Sequence, residues 1–115
     1  MSSSIDHRST CPLASALDMF GDKWTLLVVR DLLLHRQRTY KELQQSWEKM
    51  PTNILAQRLK KLEAIGIINK QPYQQRPLRN HYSLTPKGMA LTPALKAIAL
   101  WGQEHIESTS NIKTP

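Results

Sequence analysis

Residues 51–68 read PTNILAQRLKKLEAIGII, a pattern typical of one helix between two breaks in the chain. At about 100° per residue, three leucines of this helix fall on a single stripe. That stripe consists of Leu55, Leu59 and Leu62. We expect Thr52 to be the N-cap after Pro51, and we expect Gly66 to end the helix. The segment therefore predicts an amphipathic helix that packs one face on a core.

The opposite face of this helix carries polar side chains. They are Asn53, Gln57 and Lys60 at the centre, with Arg58 and Lys61 at the edges. An amide side chain can pair with adenine through two hydrogen bonds, and a lysine can reach guanine acceptors or phosphate. Periodicity alone favours an ordinary amphipathic surface helix. The choice between such a helix and one that binds DNA therefore depends on the neighbouring segments.

The segment before this helix predicts a shorter helix over Tyr40–Trp47, with Tyr40, Leu43 and Trp47 on one side. A short helix, a break at Pro51 and a second helix make a helix-turn-helix arrangement. In such an arrangement the second helix enters the major groove of DNA.

Two short strands are expected next, Ile67–Tyr73 and Asn80–Leu84, because both segments are rich in β-branched and aromatic residues. The loop between them carries Arg76 and Arg79 around Pro77. A stiffened basic tip suits contact with phosphates or the minor groove, and a plain solvated hairpin is the alternative. A basic hairpin directly after the amphipathic helix favours DNA recognition over an ordinary surface helix.

The rest of the chain predicts further helices around this unit. A first helix starts at Pro12 and ends at Gly21, and Asp22 is the expected N-cap of a second helix through about Leu34. We expect His35–Thr39 to be a polar connector.

Two Thr-Pro signals predict terminal helical segments over residues 86–91 and 93–107. The fold class is therefore α+β and mainly helical, a winged helix-turn-helix with N- and C-terminal helices for dimerisation. We expect one domain over residues 11–107, between a flexible arm (1–10) and a flexible tail (108–115).

The positive charge of the chain is unevenly placed. The 115 residues include 16 basic and 9 acidic side chains, a formal net charge of +7. Residues 52–87 hold seven of the basic side chains and one acidic side chain, Glu63. Such a one-sided segment is typical of a protein that binds a polyanion. A basic face that serves solubility, or one that docks an acidic protein partner, is the alternative.

The ordered series of motifs resembles the HxlR-type winged-helix regulators, which are relatives of the MarR group. The matching stretches are CPL (11–13), GDKWTLL (21–27), YKEL (40–43), PTNIL (51–55), RLKKLEAIGII (58–68) and HYSLTPKG (81–88), with Trp101 after them. The sequence departs from the family pattern at Tyr40, where phenylalanine is common, and at Trp47, where an aliphatic residue is usual.

The resemblance implies a dimer of winged helices that binds a palindromic operator in double-stranded DNA. It places the reading helix at Thr52–Ala64 and the wing at Arg76–Arg79. The expected base-reading side chains are Thr52, Asn53, Gln57 and Lys60. The expected contacts with the DNA backbone or minor groove are Arg58, Lys61, Arg76 and Arg79.

The last helix is apolar over about a 200° arc, which is wider than the roughly 100° needed to face one core. A partner subunit is the simplest way to bury the additional apolar surface. We expect this helix to pair with the first helix of the other subunit. The expected interface residues are Leu13, Leu17, Leu95, Ile98, Trp101 and Ile106.

Cys11 is the single cysteine, which excludes an intrachain disulfide and fits a reducing, cytoplasmic location. The resemblance suggests a redox sensor, because some members of the family sense oxidants or electrophiles through a cysteine near the N-terminus. A helix start near His7 and Arg8 favours the thiolate. A small buried apolar residue is the alternative role for a lone cysteine.

The sequence offers no constellation for catalysis, for a metal or for a cofactor. The four histidines lack ligand spacing, and no glycine-rich phosphate loop occurs. The longest nearly uncharged apolar run, Trp24–Val29, is too short to span a bilayer. We therefore expect a non-enzymatic protein whose partners are DNA and a second copy of itself.

Overall fold

A computed structural model describes residues 8–107 of the chain. Over that range the elements are α1 Pro12–Phe20, α2 Thr25–His35, β1 Gln37–Thr39, α3 Tyr40–Gln44, α4 Thr52–Ala64, β2 Ile68–Gln75, β3 Leu78–Leu84, α5 Pro86–Met89 and α6 Thr92–His105. The expected α+β, mainly helical class is confirmed, with a helix-turn-helix (α3 and α4) followed by a hairpin (β2 and β3). Residues 1–7 of the expected arm and the expected tail, residues 108–115, lie outside the described range.

The core is built from α2, α3, α4 and the residues that lead into β2. Its buried hydrophobic side chains are Val28, Val29, Leu32, Leu43, Met50, Leu55, Leu59, Leu62, Ile65, Ile67 and Ile68. The predicted stripe of α4 is confirmed, because Leu55 and Leu62 are 0% exposed and Leu59 is 3% exposed. Gly66 follows α4 with a φ of +80°, a left-handed conformation that glycine adopts without steric cost.

The three strands form one antiparallel sheet in the order β1-β3-β2. The expectation that His35–Thr39 is a polar connector is wrong, because Gln37–Thr39 pairs with β3 and places Arg38 opposite Tyr82. Three polar residues carry little strand signal of their own. Their conformation depends on backbone pairing with β3, which lies more than forty positions further along the chain.

The β2–β3 hairpin is longer than the sequence predicts. Its strands end at Gln75 and begin at Leu78, so the expected loop over residues 74–79 shrinks to Arg76 and Pro77. The added strand residues are polar or exposed and show no alternating pattern. Backbone ladder hydrogen bonds therefore extend the hairpin, and side-chain burial does not.

The boundaries around the turn before α4 also differ from expectation. Helix α3 ends at Gln44, and Trp47 is 65% exposed. The indole of Trp47 lies instead over Arg30, whose Cζ is 5.1 Å from the ring centroid. Thr52 is the first helical residue of α4 and makes no side-chain cap, because Pro51 occupies the N-cap position.

The two expected terminal segments form α5 and α6. Helices α1 and α6 contain no buried residue, in contrast to α2 and α4. Within residues 8–107, no helix is both long enough and apolar enough to cross a bilayer.

Asp22 joins the corner between α1 and α2 to helix α4. The expectation that Asp22 is the N-cap of α2 is wrong, because α2 begins at Thr25 and Trp24 occupies the N-cap position. The Asp22 carboxylate accepts hydrogen bonds from the backbone N–H groups of Trp24 and Thr25, at 3.1 Å each, and so satisfies two donors at the start of α2. The same carboxylate accepts a hydrogen bond from Arg58 Nε at 2.9 Å. Burial disfavours the charged carboxylate, but the hydrogen bonds from Thr25, Arg58 and Trp24 outweigh it and lower the pKa of Asp22 to about 2.

Asp22→Ala is expected to lower the free energy of unfolding by about 1–2 kcal/mol at pH 7, because it removes the acceptor of two backbone N–H groups and the partner of Arg58. Asp22→Asn can still accept from these N–H groups and should lose less. The folded-state pKa lies below the ordinary 3.8, so the advantage of the wild type over Asp22→Asn is present above about pH 4 and is lost as the pH falls towards 2. Denaturant unfolding of the three proteins across this range checks it, and an advantage that persists in acid would contradict it.

Candidate nucleic-acid interface

The solvent side of α4 carries the four side chains predicted to read bases. They are Thr52, Asn53, Gln57 and Lys60, and all four are exposed. Three of them, Asn53, Gln57 and Lys60, fall within about 60° of one another at the helical spacing. The buried leucine stripe on the other side stops the helix from rotating, so this narrow polar strip is held towards solvent.

Arg58 and Lys61, predicted to contact the DNA backbone, are half-buried and turned towards the corner between α1 and α2. Arg58 binds Asp22, and Lys61 Nζ donates to the backbone carbonyl oxygen of Asp18 at 3.4 Å. Both basic groups therefore fasten α4 to the rest of the protein. Helical spacing places them at the edges of the polar face, but it does not reveal these partners.

The hairpin tip presents Arg76 and Arg79, and both are exposed. Gln74 Nε2 donates to the carbonyl oxygen of Pro77 at 3.2 Å and so bridges the turn. Leu78, between the two arginines, is 63% exposed. The tip therefore combines two guanidinium groups with a small apolar surface.

An open cleft of about 270 Å³ separates the hairpin from α3. Lys41 on α3 and Arg79 on β3 both line this cleft. Lys41 was not predicted from the sequence, because it precedes the basic segment at 52–87. Only the packing of α3 beside the hairpin brings the two cations to one surface.

Tyr40 ties the start of α3 to the start of α4. Its hydroxyl group donates to the backbone carbonyl oxygen of Thr52 at 2.6 Å. Phenylalanine, which is common at this position in the family that the sequence resembles, cannot make this hydrogen bond. The departure from the family pattern at Tyr40 therefore adds a polar contact at the start of α4.

Cys11 lies at the N-cap position of α1, and its side chain is exposed. The alternative that it is a small buried apolar residue is therefore wrong. Of its two expected basic neighbours, His7 lies outside the described residues. Arg8 Nε donates to Asp18 Oδ1 at 2.6 Å, so its charge is engaged by a carboxylate of α1.

Comparison with known proteins identifies the family. The model of the HxlR-like helix-turn-helix family matches residues 19–110. The HTH-type transcriptional regulator YvaP of Bacillus subtilis (strain 168) is 36% identical over 104 residues, which are 90% of this chain and 95% of YvaP.

Solved structures of two other proteins are similar to most of this chain. A transcriptional regulator of the MarR family from Porphyromonas gingivalis W83 is 33% identical with a TM-score of 0.78, covering 89% of this chain and 98% of that protein. The reduced form of the transcriptional regulator YodB from B. subtilis is 28% identical with a TM-score of 0.70, covering 89% and 100%. Its diamide-treated form matches with a TM-score of 0.65 at 30% identity, covering 84% and 96%. The chain therefore belongs to the HxlR-like helix-turn-helix family of transcriptional regulators.

Proposed function

We propose that this chain recognises a specific sequence in double-stranded DNA, as a homodimer on a palindromic operator, and so regulates transcription. The observation that carries the proposal is the exposed polar strip of α4, which is backed by a buried leucine stripe. A recognition helix needs such a rigid face, because base edges in the major groove are read by hydrogen bonds of defined direction.

The four exposed side chains of α4 differ in what they can read. The amides of Asn53 and Gln57 suit adenine, and Lys60 suits the O6 and N7 acceptors of guanine. The hydroxyl group of Thr52 can donate to or accept from a base. Thr52 and Asn53 lie in the first turn of α4, the end of a recognition helix that approaches the bases.

Arg76, Arg79 and Lys41 are the proposed contacts with the DNA backbone. The two arginines at the hairpin tip suit phosphates or a narrow minor groove beside the groove that α4 occupies. Lys41 shares a cleft with Arg79 and suits a neighbouring phosphate. We propose that Arg58 and Lys61 contribute less to contact with the DNA backbone, because each already binds the corner between α1 and α2.

The apolar surfaces of α1 and α6 support the homodimer. The large exposed apolar side chains on or next to these helices are Leu13, Leu17, Ile98, Leu100, Trp101 and Ile106. Leu95, also predicted for the interface, is half-buried and packs on the core of its own protomer. Apolar side chains concentrated on two helices are typical of an interaction surface. We therefore propose that α1 of one protomer packs on α6 of its partner.

We also propose that Cys11 makes DNA binding sensitive to oxidants or electrophiles. Its thiol is exposed, and it lies at the start of one of the two proposed dimer helices. With diamide, two thiols lose two electrons and two protons to the reagent as one disulfide forms. The chain has one cysteine, so the second thiol comes from another copy of the chain or from a low-molecular-weight thiol. Either product places a new group beside α1.

Fluorescence anisotropy with duplexes tiled from the DNA upstream of the gene tests sequence recognition, with random DNA as the reference. One tile should bind about 10³-fold more tightly than random DNA. Gln57→Ala should weaken binding to that tile by about 1–3 kcal/mol and relax specificity at one base pair. Arg76→Ala should weaken binding to all duplexes alike and reduce the salt slope by about one.

Equal effects of these two variants on specific and random DNA would contradict the division of roles. Weak binding that is the same for every tile and is abolished by salt would contradict sequence recognition itself. That second result would favour the alternative function, a winged-helix interaction module whose basic segment docks an acidic protein partner.

Trp101→Asp is expected to convert the dimer into a monomer at micromolar concentration, because it places a charge in an apolar interface. Sedimentation velocity measures the change. Leu78→Asp is the matched control, since Leu78 is 63% exposed and Trp101 is 59% exposed, but Leu78 lies on the hairpin tip. The control should remain dimeric, and a monomeric wild type at the same concentration would contradict the proposed interface.

Diamide with glutathione should release the wild-type protein from its operator, because a new group at Cys11 disturbs the start of α1. Cys11→Ser should stay bound, and dithiothreitol should restore binding by the wild type. Anisotropy follows the release, and mass spectrometry identifies the product on the thiol. Release of Cys11→Ser to the same extent as the wild type would show that Cys11 is not the sensor.

A further inference from the structure

Arg30 of α2 holds the turn that joins α3 to α4. The residue is 8% exposed, which is an uncommon position for a side chain that is always charged. Its Nη1 and Nη2 donate to Glu48 Oε2 and Oε1 at 2.8 and 2.7 Å, a bidentate pair. Nη2 also donates to Ser46 Oγ at 3.3 Å.

Two further groups complete the surroundings of this guanidinium. The Trp47 ring centroid lies 5.1 Å from Arg30 Cζ, a cation–π geometry. Asp31 Oδ1 accepts hydrogen bonds from Arg30 Nε and Nη2 at 3.1 and 2.9 Å. One side chain of α2 therefore contacts three successive residues of the turn, Ser46–Glu48.

The conformation of this turn decides where α4 begins. Lys49 follows directly and has a φ of +49°, a left-handed conformation uncommon for a residue with a Cβ atom. Met50 is then buried in the core, and α4 starts at Thr52. A movement of this turn would therefore also move Thr52 and Asn53, which lie at the start of the proposed reading face.

A purely stabilising role is the competing explanation for Arg30. The side chain of Glu48 is 38% exposed, and an ion pair with an exposed partner contributes little to stability, so stability alone does not account for this pair. The arginine–carboxylate fork supplies a defined orientation, because its two N–H···O hydrogen bonds are parallel. The hydrogen bond from Arg30 lowers the pKa of Glu48, which keeps the pair ionised at neutral pH.

We infer that Arg30 is a positioning residue for DNA recognition, which acts through Ser46, Trp47 and Glu48 to orient the N-terminal end of α4. The inference rests on the proposed function, and it adds a buried residue that touches no DNA. A side chain without the planar fork would leave α2 folded but would allow the turn to move.

The test measures the ratio of the affinity for the specific duplex to the affinity for random DNA. Arg30→Lys keeps the positive charge but cannot form the fork, and Glu48→Gln keeps the size of the side chain but removes its charge. Each variant is expected to lower the ratio by about tenfold to a hundredfold, the effect of losing one well-aligned base contact. Affinity for random DNA and its salt slope should be unchanged, because the phosphate contacts remain.

The ratio distinguishes positioning from stability, because a smaller folded fraction lowers both affinities equally. Val29→Ala is the matched control, since Val29 is the neighbour of Arg30 in α2 and is 0% exposed. It should lower the melting temperature and keep the wild-type ratio. Circular dichroism establishes the fold of every variant before binding is measured.

The inference would be overturned if Arg30→Lys or Glu48→Gln kept the same ratio of specific to random affinity as the wild-type protein. It would also be overturned if Val29→Ala lowered this ratio by the same factor. A wild-type protein that binds every duplex with the same affinity would instead overturn the proposed function itself.

Discussion

In α4, Leu55, Leu59 and Leu62 belong to one core cluster with residues of α2 and β2, and none is more than 3% exposed. Rotating the helix would bring these leucines into water at a cost of about 1.5–3 kcal/mol each. Because the stripe cannot turn, the opposite face of α4 cannot turn either. The direction of the polar strip therefore depends on this burial. The position of the hairpin after α4 and the proposed role of the turn before α4 depend on it as well.

The basic side chains of the chain serve two different purposes. Arg30 and Arg58 lie in ion pairs inside the protomer, with Glu48 and with Asp22. Other basic side chains, including Lys60 of α4 and Arg76 and Arg79 of the hairpin, are exposed. Because each of these two ion pairs sums to zero, the net charge of +7 is carried by other side chains. Under the proposed function, the paired cations hold α4 in place and the exposed cations supply the attraction to phosphate.

The proposed DNA-binding and dimerisation surfaces are connected through the corner between α1 and α2. Asp22 binds Arg58 of α4, and the carbonyl oxygen of Asp18 accepts from Lys61 of the same helix. These contacts tie the base of α1 to the helix that carries the polar strip. A change in how α1 packs against a partner would therefore reach α4 through two short hydrogen-bonded links.

The sequence by itself determined which segments are helices, which face of α4 is buried and that Asn53 and Gln57 are exposed. Helical spacing, caps and breaks act over three or four residues, so they are readable along the chain. Only the tertiary structure decided that β1 is a strand, because its partner lies more than forty positions away and leaves no side-chain pattern. The same holds for the pairs Arg58–Asp22 and Arg30–Glu48: the charges are visible in the sequence, but the partners lie 36 and 18 positions apart and meet only in the folded chain.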